Sequence, residues 1–455
     1  MDKKCCIVQA MKPVYSFARL ILVAGDIALL YAALWLALFI RYGAVSEAIW
    51  HDHLFPFTIT FLLWLVIFRI AGLYDRKAPR NGYRFVTLLT KAMLSCVLAA
   101  VMVFYLVPSF GITPKTNLVL TAIIFSALFW VWRHGYNRFV SSRHLLHHIM
   151  FVGSNKETEE IMALFAAHPQ LGYKTAGVCT PADAPRLKDV AREWRVDAVV
   201  YTKSGSPTEA EAMSRALYEL IPLSISVYDL PKFYELVMKK VLVSVIGETW
   251  FLENLIAAGK SGYEAAKRLF DILVAVTLGT ATLMLFPLVS LAVAFDSSGP
   301  VLYRQRRVGK NGRIFRVVKF RTMITNAEQA GIAWTTQEDN RVTRVGGILR
   351  KLRIDELPQL WNVLVGDMSL IGPRPERPEF VETLEKEIPH YPMRHLVKPG
   401  LTGWAQVNDP HGGASVKDST EKLQYDLYYI KNRDAIVDLD ILLRTARVVL
   451  SREGH

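Results

Sequence analysis

Residues 269–295 read LFDILVAVTLGTATLMLFPLVSLAVAF, and whether this stretch crosses a bilayer or turns back inside it decides the fold of everything after it. A membrane span needs about 20 apolar residues, so the length suffices. The flanks argue against crossing. Lys260, Lys267 and Arg268 precede it, and Arg304, Arg306, Arg307 and Lys310 follow the Asp296-Ser297-Ser298-Gly299-Pro300 turn, so both ends carry the basic excess of one membrane face. Pro287 offers a place to turn, because it has no N–H, leaves the carbonyl of Leu283 unpartnered and kinks a helix. Thr280 or Thr282 is placed to relieve such a break. The expectation is a re-entrant helix-break-helix hairpin over residues 268–295, broken at Pro287. The alternative, a full crossing, puts all that follows on the opposite side of the membrane.

The 455-residue chain is 52% hydrophobic, with a net charge of +13 and a positive mean hydropathy. That is too apolar for an ordinary soluble enzyme, and long enough for a membrane part and two further domains. Residues 20–40, 54–70, 85–107 and 118–132 read as four spans, the second and fourth short. Lys3, Lys4, Lys12 and Arg19 precede the first; Arg76, Lys77, Arg80 and Arg84 separate the second and third; Arg133, Arg138 and Arg143 follow the fourth. Basic residues mark cytoplasmic loops. The N-terminus is therefore expected inside, and everything after Arg133 on the cytoplasmic side. The first apolar stretch is too long for a cleavable signal peptide and has no small-residue cleavage site. Cys5, Cys6, Cys96 and Cys179 have no zinc spacing and suit a reducing compartment. Asp26 and Lys91 are ionisable at membrane depth. Bundle contacts or snorkelling, and guidance of a lipid phosphate or a partner, are both open for them.

Beyond the spans, short β-rich runs at 148–152, 173–179, 196–201 and 224–228 alternate with helical patterns at 157–167, 184–194 and 208–220, as in a parallel α/β domain. Val152-Gly153-Ser154-Asn155-Lys156 stands where a dinucleotide fold has its glycine fingerprint, yet holds one glycine. Val178-Cys179-Thr180-Pro181 lacks the ribose-binding acid. A degenerate Rossmann-like domain is expected, structural or regulatory, with oligomerisation and nucleotide sensing open. A membrane-tethered NAD-dependent dehydratase needs the fingerprint and a following Tyr-x-x-x-Lys pair, and this part has neither. The domain plan is 1–143 membrane bundle, 144–256 Rossmann-like and 257–455 C-terminal, entered through a glycine-containing linker at 259–262.

Residues 301–320 alternate in polarity and turn at Lys310-Asn311-Gly312, a hairpin signal. No acid occurs between Asp296 and Glu328, where Arg304, Arg306, Arg307, Lys310, Arg313, Arg316, Lys319 and Arg321 all lie. Such a strip suits phosphates or anionic headgroups. Nucleic acid is not expected, since the strip adjoins a membrane segment and no recognition helix or RNA-stacking motif accompanies it. Farther on, Lys351-Leu352-Arg353-Ile354-Asp355-Glu356-Leu357-Pro358-Gln359 sets two acids side by side. Like charges that close raise one another's pKa, and a divalent metal removes the conflict. Pro358 is tolerated only in a first helical turn, so Asp355 and Glu356 are expected at a helix start whose dipole favours their ionised forms. An ionised Asp355 near Arg350 and Arg353 can attack phosphorus, and Glu356 can hold Mg²⁺ against a diphosphate. In Pro373-Arg374-Pro375 two prolines stiffen an arginine suited to phosphate. Arg341 and Arg344 are weaker candidates, and His395 and His411 show no metal spacing. The last helices, at 423–430 and 435–450, carry Tyr425, Tyr428 and Tyr429, which suit a membrane interface.

From Lys267 to Leu450 the chain resembles the bacterial sugar transferases, the polyprenyl-phosphate glycosyl-1-phosphate transferases, in their long form with four N-terminal spans and a Rossmann-like domain. The resemblance rests on Lys267-Arg268-Leu269-Phe270-Asp271, Gly299-Pro300-Val301-Leu302-Tyr303-Arg304-Gln305, Arg307-Val308-Gly309, Lys319-Phe320-Arg321-Thr322-Met323, the Asp-Glu-Leu-Pro-Gln segment, Gly366-Asp367-Met368-Ser369-Leu370-Ile371-Gly372-Pro373-Arg374-Pro375 and Pro399-Gly400-Leu401-Thr402-Gly403-Trp404. Two departures are Phe286, where relatives often have Ser before the Pro, and Arg433-Asp434-Ala435, where they often have Trp-Ser. The resemblance implies a re-entrant hairpin at the bacterial inner membrane and transfer of a sugar 1-phosphate from a UDP-sugar to a polyprenyl phosphate. It further implies a phosphosugar-aspartyl intermediate on Asp355, Mg²⁺ at Glu356, and phosphate contacts from Lys319, Arg321, Arg350, Arg374 and, more weakly, Arg341. The sugar and the oligomeric state stay open, and a non-enzymatic scaffold is the rival that would need no acid pair.

Overall fold

The computed structural model describes residues 12–75, 82–107, 110, 115–140, 146–202, 206–255, 261–325, 327, 339–409 and 415–451. They form two compact units, one ending at Phe233 and the other beginning at Tyr234.

The first unit opens with four apolar helices: α1 (Lys12–Tyr42), α2 (Glu47–Ala71), α3 (Tyr83–Leu106) and α4 (Lys115–Val140). Together with a later helix they make five, among the described residues, that are long and apolar enough to cross a membrane. The second and fourth extend well past their apolar cores. Ser46 caps α2 by accepting from the amide of Ile49 (3.3 Å), and α4 continues through Arg133 and Arg138. The bundle core is aromatic, with Phe57, Trp64, Phe68, Phe125 and Phe129 fully buried. Within it Asp26 is buried and accepts from Arg133 Nη2 (2.8 Å), whose guanidinium also lies 4.6 Å from the Phe129 ring. Asp26 is thus a bundle contact, and Arg133, read as a flanking charge, is its partner. Lys91 is exposed.

The α/β part has strands β1 (His147–Val152), β2 (Tyr173–Cys179), β3 (Ala198–Tyr201) and β4 (Ser226–Asp229), interleaved with α5 (Lys156–Ala167), α6 (Leu187–Glu193) and α7 (Pro207–Tyr218). They form one parallel sheet in the order β2-β1-β3-β4. At the start of α5, where a phosphate would sit, Asn155 and Thr158 cap each other; the amide of Thr158 donates to Asn155 Oδ1 (2.9 Å). Cys96 and Cys179 are buried free thiols.

Chain continuity through α8 (Leu230–Met238) leads to the second unit, which contains α9 (Glu248–Leu255), α10 (Ser261–Asp296), the antiparallel hairpin β5 (Leu302–Val308) and β6 (Ile314–Phe320), α11 (Arg344–Lys351), α12 (Leu360–Val365), β7 (Ser369–Ile371), α13 (Pro378–Glu387), β8 (Gly400–Thr402), α14 (Trp404–Asn408), α15 (Val416–Asn432) and α16 (Ala435–Ser451). The hairpin turns where expected, with Asn311 and Gly312 at positive φ (56° and 76°). Its core includes Val363, Met368, Tyr391, Leu423, Leu427 and Ile441.

Pro287 lies inside α10 without ending it. Thr280 and Thr282 donate to the carbonyls of Val276 (2.9 Å) and Leu278 (2.7 Å), not to the Leu283 carbonyl that the proline leaves without its amide. Such back-bonding bends helices. Both ends of α10 are tied to the rest of this unit, since Asp271 accepts from the Leu370 amide (3.0 Å) and Asp296 from the Val345 amide (2.9 Å). Between them Leu278, Leu283, Met284, Leu285, Leu288 and Leu291 are exposed. The terminal tyrosines face inward instead of forming an interfacial belt. Tyr429 is buried with its hydroxyl on Asp438 (2.9 Å), and Tyr428 stacks on Trp404, because α15 packs its aromatic stripe into the core.

Candidate active site

Asp355 and Glu356 stand in a 3-10 turn, Ile354–Gln359, that runs into α12. Arg353 just before it is left-handed (φ 57°), which swings the chain out of α11, and Pro358 is accommodated inside the turn. Asn362 presses the turn and α12 against β6: its Nδ2 donates to the Arg316 carbonyl (2.8 Å) and its Oδ1 accepts from the Val318 amide (3.1 Å). The next residue along β6 but one from that amide, Phe320, is buried, and Lys319 between them reaches Glu356.

Arg374 arrives from a parallel crossing of two short strands. The amide of Gly372 donates to the Thr402 carbonyl and that of Gly400 to the Pro373 carbonyl, both at 2.9 Å. A side chain at Gly372 would start 2.4 Å from the Lys398 carbonyl oxygen, so the crossing needs glycine there. Beneath it Arg394, buried, donates to Asp426 (2.8 and 3.0 Å), to the Tyr391 hydroxyl (2.6 Å) and to the Arg374 carbonyl (3.1 Å). Arg350 comes from α11, which sits against residue 322: a Cβ at Gly346 would meet the Thr322 carbonyl at 2.2 Å, and Arg350 Nε donates to Thr322 Oγ1 (2.9 Å).

These elements converge on one acidic centre. Glu356 Oε1 accepts from Lys319 Nζ (3.0 Å) and Arg374 Nη2 (2.8 Å). Asp355 is 7% exposed, and its Oδ1 is buried with no hydrogen-bond partner. The two neighbours are driven apart. Burial acts to raise Glu356, but the charges of Arg374 and Lys319 outweigh it and hold the carboxyl well below its usual 4.5. For Asp355, burial and the adjacent Glu356 charge prevail over Lys319, Arg350 and Arg374 and push it above 3.8. A helix dipole was expected to favour the ionised form of both; instead burial and the neighbouring charges shift the two carboxyls in opposite directions. Burial lowers Lys319 and Arg350 as well.

Of the expected site residues, Asp355, Glu356, Lys319 and Arg374 come together, with Arg350 beside them. Arg321 turns elsewhere: it is buried and donates to the Ser297 carbonyl (2.6 Å) at the end of α10. Arg341 is gripped by Asp339 in a two-point fork (2.7 and 2.6 Å). Burial and Arg394 push His395 down to about 4, leaving it neutral; His411 lies outside the described residues. Reading by charge missed Arg394, Asp426 and Asn362, whose partners are distant in sequence. It also missed that Arg268 is an anchor, donating to the carbonyls of Val363 (2.6 Å) and Leu364 (2.7 Å).

The orphaned Asp355 oxygen and the adjacent pair of carboxyls fit a hard divalent cation. Among the described residues no cluster of three or more His, Cys, Asp or Glu exists, so such a cation would draw remaining ligands from substrate phosphates and water, as Mg²⁺ does.

A buried acid with an open oxygen, its neighbour clamped by a lysine and an arginine, is an arrangement suited to phosphoryl transfer, here in a unit with a long exposed apolar helix. The pattern of the bacterial sugar transferase family matches residues 262–452. The chain belongs to that family. A UDP-N-acetylgalactosamine-undecaprenyl-phosphate N-acetylgalactosaminephosphotransferase of Aeromonas hydrophila is 39% identical over 308 residues, 67% of this chain and 70% of the relative. A UDP-glucose:undecaprenyl-phosphate glucose-1-phosphate transferase of Escherichia coli K12 is 28% identical over 451 residues, 92% of this chain and 93% of the relative. A putative undecaprenyl-phosphate N-acetylgalactosaminyl 1-phosphate transferase of Bacillus subtilis is 47% identical over 132 residues, 29% of this chain and 74% of the relative.

Proposed function

We propose that this enzyme transfers a sugar 1-phosphate from a UDP-sugar to undecaprenyl phosphate, releasing UMP, as the first step of a surface polysaccharide. The observation that carries this reading is the buried, unpartnered Asp355 Oδ1 beside a Glu356 held by Lys319 and Arg374. An Asp355 oxygen attacks the sugar-bearing phosphorus of the donor, the bond from that phosphorus to the UMP oxygen breaks, and a phosphosugar-aspartyl intermediate forms. An oxygen of the lipid phosphate then attacks the same phosphorus and the aspartyl oxygen leaves, restoring the carboxylate. Glu356 stays ionised throughout and holds Lys319 and Arg374 in place, while those cations and Arg350 face the charge that builds on the phosphoryl oxygens. Mg²⁺, held by Glu356 and the Asp355 side of the pair, would supply charge neutralisation for the diphosphate. The inner membrane as location, α10 as a re-entrant element and a cytoplasmic active site belong to the same proposal, supported by the two ends of α10 binding one polar unit. So does the division into residues 1–143, 144–256 and 257–455 with a Rossmann-like middle part.

The test is UMP release by the purified chain with a panel of UDP-sugars, with Mg²⁺ or EDTA, and with or without undecaprenyl phosphate. Release is expected with at least one donor and is expected to vanish in Asp355→Asn. An Asp355→Asn protein that kept most of its release would overturn the nucleophile, and a wild type that released UMP from no donor would overturn the reaction.

A further inference from the structure

The second unit holds a cavity of about 230 Å³ that this reaction leaves unused, lined by Lys267, Arg268, Asp271, Lys310, Lys398 and Arg433 among others. No residue of the Asp355 cluster lines it. Five cationic residues face two acids there, and both acids are already engaged. Glu264 pairs with Arg433 (2.8 Å), and Asp271 accepts the Leu370 amide. Lys267 is taken by Asp438 (2.6 Å), and Arg268 by the two carbonyls at the end of α12. Among the described residues Lys310 and Lys398 have no hydrogen-bond or ion-pair partner. Burial, then the nearby Arg268, pushes the Lys398 amine below its usual value. Two ammonium groups and a guanidinium around one void repel each other, and an anion with several oxygens relieves all three at once. Two helices tied to this lining carry exposed apolar residues. Leu269, Phe270 and Leu273 are exposed on the first turns of α10, and Trp361 and Val365 on α12, the helix whose end Arg268 holds.

We propose that this cavity binds a phosphate group through Lys310 and Lys398, and that its source is the headgroup of an anionic membrane phospholipid whose acyl chains lie along α10. The site would seat the start of α10 at the depth of the headgroups, where basic side chains beside apolar ones are stabilised. The proposal does not depend on the transfer reaction.

The test is binding of dihexanoyl-phosphatidylglycerol, inorganic phosphate and uncharged dihexanoylglycerol to the full chain in a non-ionic detergent. Wild type is expected to bind the phosphatidylglycerol, Lys310→Ala/Lys398→Ala to bind it at least about tenfold more weakly, a loss near 1.4 kcal/mol, and Glu356→Gln to bind it like wild type, which separates this cavity from the acidic centre. Equal binding of inorganic phosphate, also lost in the double variant, supports the phosphate site and assigns it a free anion. Should the double variant not fold, Lys310→Ala alone, at an exposed hairpin turn, must still weaken binding. Absence of binding, binding unchanged by the lysine substitutions, or equal binding of dihexanoylglycerol overturns the proposal.

Discussion

Asp355 and Glu356 share a peptide bond, yet their carboxyls shift in opposite directions, Asp355 upward through burial and the Glu356 charge, and Glu356 downward, despite burial, through Arg374 and Lys319. Glu356, depressed, contributes folding stability that is present above its usual 4.5 and lost as the pH falls below that value. Asp355, raised, does the reverse: its ionised form opposes folding above its elevated pKa, and the penalty disappears below 3.8. Asp355→Asn should therefore melt higher than wild type at pH 7 in EDTA, by roughly 2–4 °C for each kcal/mol relieved, while losing UMP release. The gain should shrink as the melts are repeated toward pH 4, and a lower melting point at pH 7 would refute the burial argument. Arg374→Lys keeps the charge but loses the planar fork, so kcat should fall at least about tenfold with the melting point little changed. The acids, Lys319 and Arg374 were legible because their motifs also place them. Arg341 and Arg321 were not, since charge and motif membership say nothing of pairing: Asp339, two residues away, captures the first, and the Ser297 carbonyl takes the second.

At the scale of elements, the site depends on short pieces held by buried polar contacts. The β7–β8 crossing delivers Arg374, and Arg394 fixes it through its carbonyl while neutralising Asp426. Arg394→Ala strands Asp426 in the core, so it should cost about 3–5 kcal/mol in denaturant unfolding. Asp426→Asn/Arg394→Gln, which removes both charges, should recover stability more than UMP release, because no guanidinium then restrains the Arg374 backbone. Recovery of both in equal measure would reduce Arg394 to a structural role. The strands of the α/β part, the long apolar helices and the hairpin turn at Lys310-Asn311-Gly312 were readable from the sequence pattern, whereas the three-residue strands β7 and β8 were not. The tyrosines of α15 misled, because a Tyr next to Lys looks the same in sequence whether it meets lipid or the core. Pro287 was expected to break the apolar segment, yet α10 runs through it, and what a proline does there depends on packing: both ends of the helix are held by contacts some 50 to 100 residues away in sequence.

For the whole molecule, the apolar composition was decisive early, yet partners within the membrane were invisible to it. Asp26 and Arg133 lie 107 positions apart and meet in the interior of the bundle; Arg133→Ala leaves a buried carboxyl alone and should destabilise the bundle by about 3–5 kcal/mol, read as a lower melting temperature in detergent. The sidedness of α10 decides more, since it fixes which compartment supplies the donor. Ala265 near its start and Ser298 just beyond its end are both exposed, and Asp271 and Asp296 each accept a backbone amide of the same unit, which is what a re-entrant α10 requires. Single cysteines at these two positions in a cysteine-free chain should react with a membrane-impermeant maleimide in inside-out vesicles and stay unlabelled in sealed right-side-out vesicles. Labelling of the Ser298 position from the outside, with the Ala265 position labelled from the inside, would mean that α10 crosses, and would place Asp355 away from any cytoplasmic nucleotide sugar.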